Sequence, residues 1–226
     1  RSTAARNGSN GEPLHTRMSA QPHKTKKTLA NLIGAVGTPL DVNEDLHVEG
    51  LARHLDEQWC GGLSEVFVAG TMGCMPLISD KTYVELVRHS VEWCTNRGRL
   101  LVGVGDTSYA RTRDRVEYLN RYRVDGVVAI TPYFLTFSQD ELVDYFQHLA
   151  DISQNPLYLY DVPARTGLKL ELQTVETLSR HPNIVGIKCS CDVGWTRELI
   201  DRLGNRLRII AVALECLDTF LQQGVL

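Results

Sequence analysis

The chain has 226 residues, a formal net charge of -3 and 43% hydrophobic residues. That is enough for one sizeable core, and close to the lower limit of roughly 200 residues for an eight-unit βα barrel. The charge balance provides no basic field for nucleic acid, and no apolar run of about 18 residues provides a membrane span. A small molecule is therefore the expected partner.

Residues 1–27 are polar and basic, with Gly, Ser, Asn and Pro scattered through them and no apolar core of a signal peptide. We read residues 1–30 as a disordered or non-native leader and residues 31–226 as one catalytic domain. A transit peptide is the alternative, since Arg1, Arg6 and Arg17 face a single acid, Glu12, before Asp41. No amphipathic period supports it. The chain begins on Arg1, so a fragment or processed product is also open, with Met18 as an internal start.

From residue 31 onward, short apolar runs alternate with longer stretches of helical period. Strands are expected at 32–39, 65–70, 100–105, 126–131, 157–162, 184–189 and 207–212. Several, such as Gly126-Val-Val-Ala-Ile-Thr131, are continuously apolar, as strands buried on both faces of a parallel sheet must be. Helices are expected at 46–60, 81–97, 109–123, 139–153, 171–180, 194–203 and 215–223. Ser138, with Glu141 three residues later, has the form of a capping box.

Seven βα units without a glycine-rich phosphate loop after the first strand favour a barrel over an open doubly wound sheet. The fold class expected is α/β, a TIM (β/α)8 barrel truncated after its seventh unit. Gly224-Val-Leu226 reads as the start of a missing eighth strand. An unclosed barrel would expose edges on the first and seventh strands, an aggregation hazard.

Six cysteines occur, at 60, 74, 94, 189, 191 and 216, with no CxxC pair. The Cys189-x-Cys191 pair is expected on the sixth strand with its side chains on opposite faces, so no joint metal site is expected. Reduced, mostly buried thiols of a cytoplasmic protein are the simpler reading.

Reacting groups of barrel enzymes sit at the C-terminal ends of strands. Lys188 lies near the end of the sixth strand in Ile184-Val-Gly-Ile-Lys-Cys-Ser190. A desolvated lysine can be neutral near pH 7 and attack a carbonyl to form an imine. A lysine merely reaching solvent from a strand end is the bland alternative. Tyr160, on the preceding strand, can move protons, or can be a packed barrel aromatic. Arg165 follows in a loop on the same face, where a guanidinium suits a carboxylate or is simply solvated. Tyr133 ends the fourth strand. Gly70-Thr-Met-Gly-Cys74 follows the second, and its amides could bind a carboxylate or merely form a tight turn.

The ordered set Gly37-Thr-Pro39, Gly70-Thr-Met-Gly73, Thr131-Pro-Tyr133, Tyr160-Asp-Val-Pro-Ala-Arg-Thr-Gly167 and Gly186-Ile-Lys188 resembles the dihydrodipicolinate synthase / N-acetylneuraminate lyase family. The resemblance implies a TIM-barrel, oligomeric class I aldolase or lyase that handles pyruvate, with no metal or organic cofactor. It implies that Lys188 is the Schiff-base lysine and Tyr160 the proton relay. Gly70, Thr71 and Met72 would hold the keto acid's carboxylate, and Thr71 would also relay protons. Arg165 would meet a second carboxylate, and Tyr133 would line the site.

Three departures matter. Met72 and Cys74 stand where the family's turn usually carries a hydroxyl residue and a glutamate. Phe134 replaces the second tyrosine of the synthases' T-P-Y-Y, and Val212-Ala-Leu214 replaces their usual stretch after the seventh strand. A lyase for a sugar-derived 2-keto acid is expected ahead of 4-hydroxy-tetrahydrodipicolinate synthase. An inactive relative is the remaining reading.

Overall fold

The computed structural model describes residues 32–212. Seven strands lie in one wholly parallel sheet in chain order. They are β1 (Ile33–Ala35), β2 (Glu65–Val68), β3 (Arg99–Gly103), β4 (Gly126–Ile130), β5 (Leu157–Asp161), β6 (Ile184–Cys189) and β7 (Arg208–Ala211). Between them run α1 (Val48–Cys60), α2 (Asp80–Cys94), α3 (Tyr109–Leu119), α4 (Gln139–Ile152), α5 (Pro163–Thr166), α6 (Leu172–Leu178) and α7 (Val193–Leu203). This is the strand order of a TIM barrel. Among the described residues β1 and β7 are its two unpaired edges. The expected leader, the helix at 215–223 and the start of an eighth strand lie outside the described residues.

The helices begin where their caps allow. Ser79, Ser108, Ser138 and Asp192 each accept a backbone N–H from the first turn of their helix. At Ser138 the capping box is complete, with Glu141 Oε2 accepting the Ser138 amide at 2.8 Å. α5 was not legible as a helix. It is a single turn, started by Pro163 and stopped by Gly167 at φ 70°.

The strands between the edges, β2 to β6, are buried on both faces and feed two cores. Val66, Val68, Val127, Ala129, Leu157 and Leu159 pack outward under the helices. Phe67, Leu101, Val128, Tyr158 and Tyr160 fill the inside of the sheet. This two-sided burial explains the continuous apolar runs.

One irregularity decides where Lys188 points. Regular alternation from Ile184, which packs outward, would also send Lys188 outward into the helical layer. Instead, the pairing with β5 skips a residue, so that Leu157 opposes Ile184 while Tyr158 opposes Gly186. After this bulge Ile187 and Cys189 face the helices, and Lys188 faces the barrel interior. Gly186 makes the bulge possible: a Cβ there would lie 2.5 Å from the Tyr158 ring and 2.7 Å from the Arg208 carbonyl.

The floor of the interior is tied by charge. Glu65 on β2 receives both guanidinium nitrogens of Arg208 on β7, at 2.7 and 2.6 Å. Glu65 is buried. The paired carboxylate and a hydrogen bond to Tyr158 raise the Arg208 pKa despite burial.

Candidate active site

At the opposite end of the interior, the pairing sets Tyr160 of β5 beside Lys188 of β6. The Lys188 amine lies 3.6 Å from the centre of the Tyr160 ring and 5.8 Å from that of Phe67. Thr71, just beyond β2, places its hydroxyl 3.1 Å from the Tyr160 phenol oxygen. Ser190, two residues after Lys188, also hydrogen-bonds that phenol. Nothing in the sequence singled out Ser190. Its signal was position alone, since a residue two places beyond an inward lysine returns toward the same site.

Burial lowers the Lys188 pKa, and the neighbouring phenol only partly opposes this. Burial pushes the Tyr160 phenol up. The charge of Lys188 and hydrogen bonds with Lys188, Thr71 and Ser190 more than offset it, so the net shift is downward. The pair is therefore drawn together in acidity: a better nucleophile beside a better acid.

A cavity of about 230 Å³ opens over Tyr160, lined among others by Gly70, Thr71, Tyr133, Tyr160 and Arg165. Lys188 lies beside the lining, against the ring of Tyr160. Arg165 is exposed at the rim on α5 and makes no ion pair among the described residues, which leaves its guanidinium open to an anion. Tyr133 is half-buried, and burial, with the charge of Asp106, raises its phenol pKa. Asp106 is held by Arg111 at 2.9 Å and Arg115 at 3.0 Å.

The turn after β2 is strained. Ala69 and Cys74 both adopt φ 52° without being glycine. Thr38 fixes the turn through the Gly73 carbonyl at 2.6 Å. The amides of Thr71 and Met72 have no hydrogen-bond partner among the described residues, so they are open to a ligand.

The structure thus gathers Gly70, Thr71, Tyr133, Tyr160 and Arg165 around one cavity with Lys188 at its side. It does not bring the Met72 side chain there. That side chain is 67% exposed and lines a separate cleft with Gly37, Pro39 and His54. Phe134 also turns outward, 89% exposed at φ 87°. No group of three or more metal-ligating side chains is assembled among the described residues. Nor is any described helix long and apolar enough to cross a membrane.

A family model described as the dihydrodipicolinate synthetase family matches residues 28–226. The chain belongs to this family. It is 35% identical to the 4-hydroxy-tetrahydrodipicolinate synthase of Xanthomonas campestris pv. campestris over 71% of this chain and 53% of that protein. The solved synthase of Methylacidiphilum fumariolicum superposes with a TM-score of 0.80 at 28% identity, covering 85% of this chain and 64% of the other. YagE, a prophage protein of the same family from Escherichia coli solved with pyruvate, gives a TM-score of 0.80 at 26% identity, covering 85% and 66%. The chain spans about half the length of the curated relatives it matches.

Proposed function

We propose that this protein is a Schiff-base aldolase or lyase acting on a 2-keto acid, with pyruvate as product or substrate. The carrying observation is the half-buried Lys188 amine packed 3.6 Å from the Tyr160 ring, with the Tyr160 phenol bonded to Thr71. In the lyase direction the neutral amine attacks the C2 carbonyl, and loss of water gives the imine. Tyr160 gives its proton to the departing water, and the phenolate left behind takes the proton of the C4 hydroxyl. The C3–C4 bond breaks, an aldehyde leaves, and the bonding electrons move toward the iminium nitrogen as an enamine. Protonation at C3 and hydrolysis release pyruvate and free Lys188. Thr71 and the open turn amides hold the C1 carboxylate, and Arg165 meets an anionic group at the far end of a longer substrate. The Escherichia coli relative solved with pyruvate supports the substrate class. We place the reaction in the cytoplasm, and assembly into a dimer or tetramer is part of the same reading.

Borohydride reduction with pyruvate is expected to leave a stable mass increment on Lys188. An unlabelled Lys188 after reduction of the native protein would sink the proposal.

The synthase reaction, pyruvate plus aspartate semialdehyde, is the second reading, supported by the names of the curated relatives. Phe134 disfavours it, because it has no hydroxyl and points to solvent. Synthase turnover is expected to be weak in a coupled reductase assay. A rise in Phe134→Tyr would show that the missing hydroxyl had limited it.

A further inference from the structure

β6 ends at Cys189, and Cys191 lies in the turn beyond it. The two side chains do not lie on opposite faces as expected: residues two apart share a face, and Cys189 and Cys191 both pack on the helix side of the sheet. Cys189 is paired with Asp161 across the sheet and Cys191 reaches the same Asp161, which brings the two thiols together. Thr196 adds a hydroxyl 3.5 Å from Cys189 Sγ. Cys191 Sγ lies 3.2 Å from the Asp161 carboxylate, which is fully buried at the end of β5. Cys189 is buried and Cys191 is half-buried, so a small reagent meets Cys191 first. The neighbouring Cys191 draws the Cys189 thiol down against burial, while the neighbouring Cys189 and burial push Cys191 up.

The residue between them is Ser190, whose hydroxyl bonds Tyr160 and whose amide donates to the Asp161 carbonyl at 2.9 Å. The dithiol thus brackets a residue that holds the proton-relay phenol. We propose that Cys189 and Cys191 form a redox modification site that a hydroperoxide closes to a disulfide, displacing Ser190 from Tyr160. Asp161 takes the Cys191 proton while the Cys191 sulfur attacks the distal peroxide oxygen. The O–O bond breaks, and the departing alkoxide leaves as alcohol with the proton from Asp161. The Cys189 sulfur then attacks the resulting sulfenic sulfur and expels hydroxide, which leaves as water with the Cys189 proton. Two thiols and one hydroperoxide give one disulfide, one alcohol and one water. A bridge between such close residues is a short, strained ring, the kind that reductants reopen. The consequence for catalysis rests on the imine reading of Lys188.

The test uses the full chain, first reduced, then exposed to hydrogen peroxide. The peptide carrying both cysteines is expected to lose two hydrogens and to resist alkylation until dithiothreitol is added. The rate of pyruvate–borohydride labelling of Lys188 is expected to fall roughly tenfold to a hundredfold on oxidation, and to recover on reduction. Cys191→Ser is expected to form no bridge and to keep its labelling rate in peroxide. A peptide that stays alkylatable, or passes to sulfinic acid without bridging, overturns the site. Equal labelling before and after bridging overturns its coupling to Tyr160, as does a Cys191→Ser protein as peroxide-sensitive as the native one. Absence of labelling even in the reduced protein would count against the imine reading alone, since the mass change still decides the dithiol.

Discussion

Arg208 and Lys188 face the inside of this sheet from opposite ends, and their partners make them opposites. Arg208 at the floor meets a full carboxylate through two hydrogen bonds, and its guanidinium stays charged in any case. Lys188 at the top meets a ring face and a phenol, with no carboxylate at salt-bridge distance among the described residues. Burial acts on both, but only the lysine can answer it by losing its proton. The same physics that makes the floor a fastener makes the top a nucleophile.

If that contrast holds, the two ends separate stability from chemistry. Lys188→Ala is expected to abolish borohydride labelling completely while changing stability by no more than about 1 kcal/mol. A denaturant melt beside the labelling assay checks both. A variant that unfolded would show that the top, too, is structural.

Tyr160→Phe is expected to lower turnover by about 10²–10⁴ through loss of the proton relay. It also carries a pH test with a definite sign. The amine attacks only when unprotonated, so labelling rises with pH through the Lys188 pKa. Burial places that rise below the ordinary lysine value of 10.5. Tyr160 now opposes burial by charge and hydrogen bond. Its removal should move the rise to still lower pH even as turnover falls, and an upward move would contradict this account of the pair.

Glu65→Gln is expected to cost about 3 kcal/mol, since it leaves the Arg208 guanidinium without its countercharge. Per folded molecule, Lys188 labelling should persist. Unchanged stability would mean that water already serves Arg208 as well as Glu65 does.

Most of the architecture was legible because two-sided burial writes itself as apolar runs. All seven strands were placed, with ends one to four residues too generous where a run continued into a loop, as at β1. The gathering of the candidate residues was legible where a motif residue sits at or just beyond a strand end, as at Thr71, Tyr133, Tyr160 and Lys188, with Arg165 brought to the same cavity on α5. At Met72 the turn leaves the backbone amide open and turns the side chain outward, so that residue can serve the cavity through its backbone alone. Ser190 and the Cys189–Cys191 contact were missed, although alternation carried past the end of β6 returns Ser190 to the side of Lys188 and Cys191 to that of Cys189. The Glu65–Arg208 pair spans most of the chain, with no local pattern to announce it.

The smallest expected effect tests the bulge that aims Lys188. In Gly186→Ala the new Cβ would meet the Tyr158 ring and the Arg208 carbonyl, and overpacking of this kind costs about 1–3 kcal/mol. Stability alone would not distinguish this from any crowded glycine. The informative quantity is labelling of Lys188 relative to Glu65→Gln. If Gly186 serves only packing, a variant no less stable than Glu65→Gln should label at least as fast. If the skipped residue is what turns Lys188 inward, relieving the clash shifts the pairing of β5 with β6. Labelling should then fall further in Gly186→Ala than in Glu65→Gln, despite the smaller loss of stability. Equal labelling in the two would leave the bulge as a feature of the sheet rather than of the site.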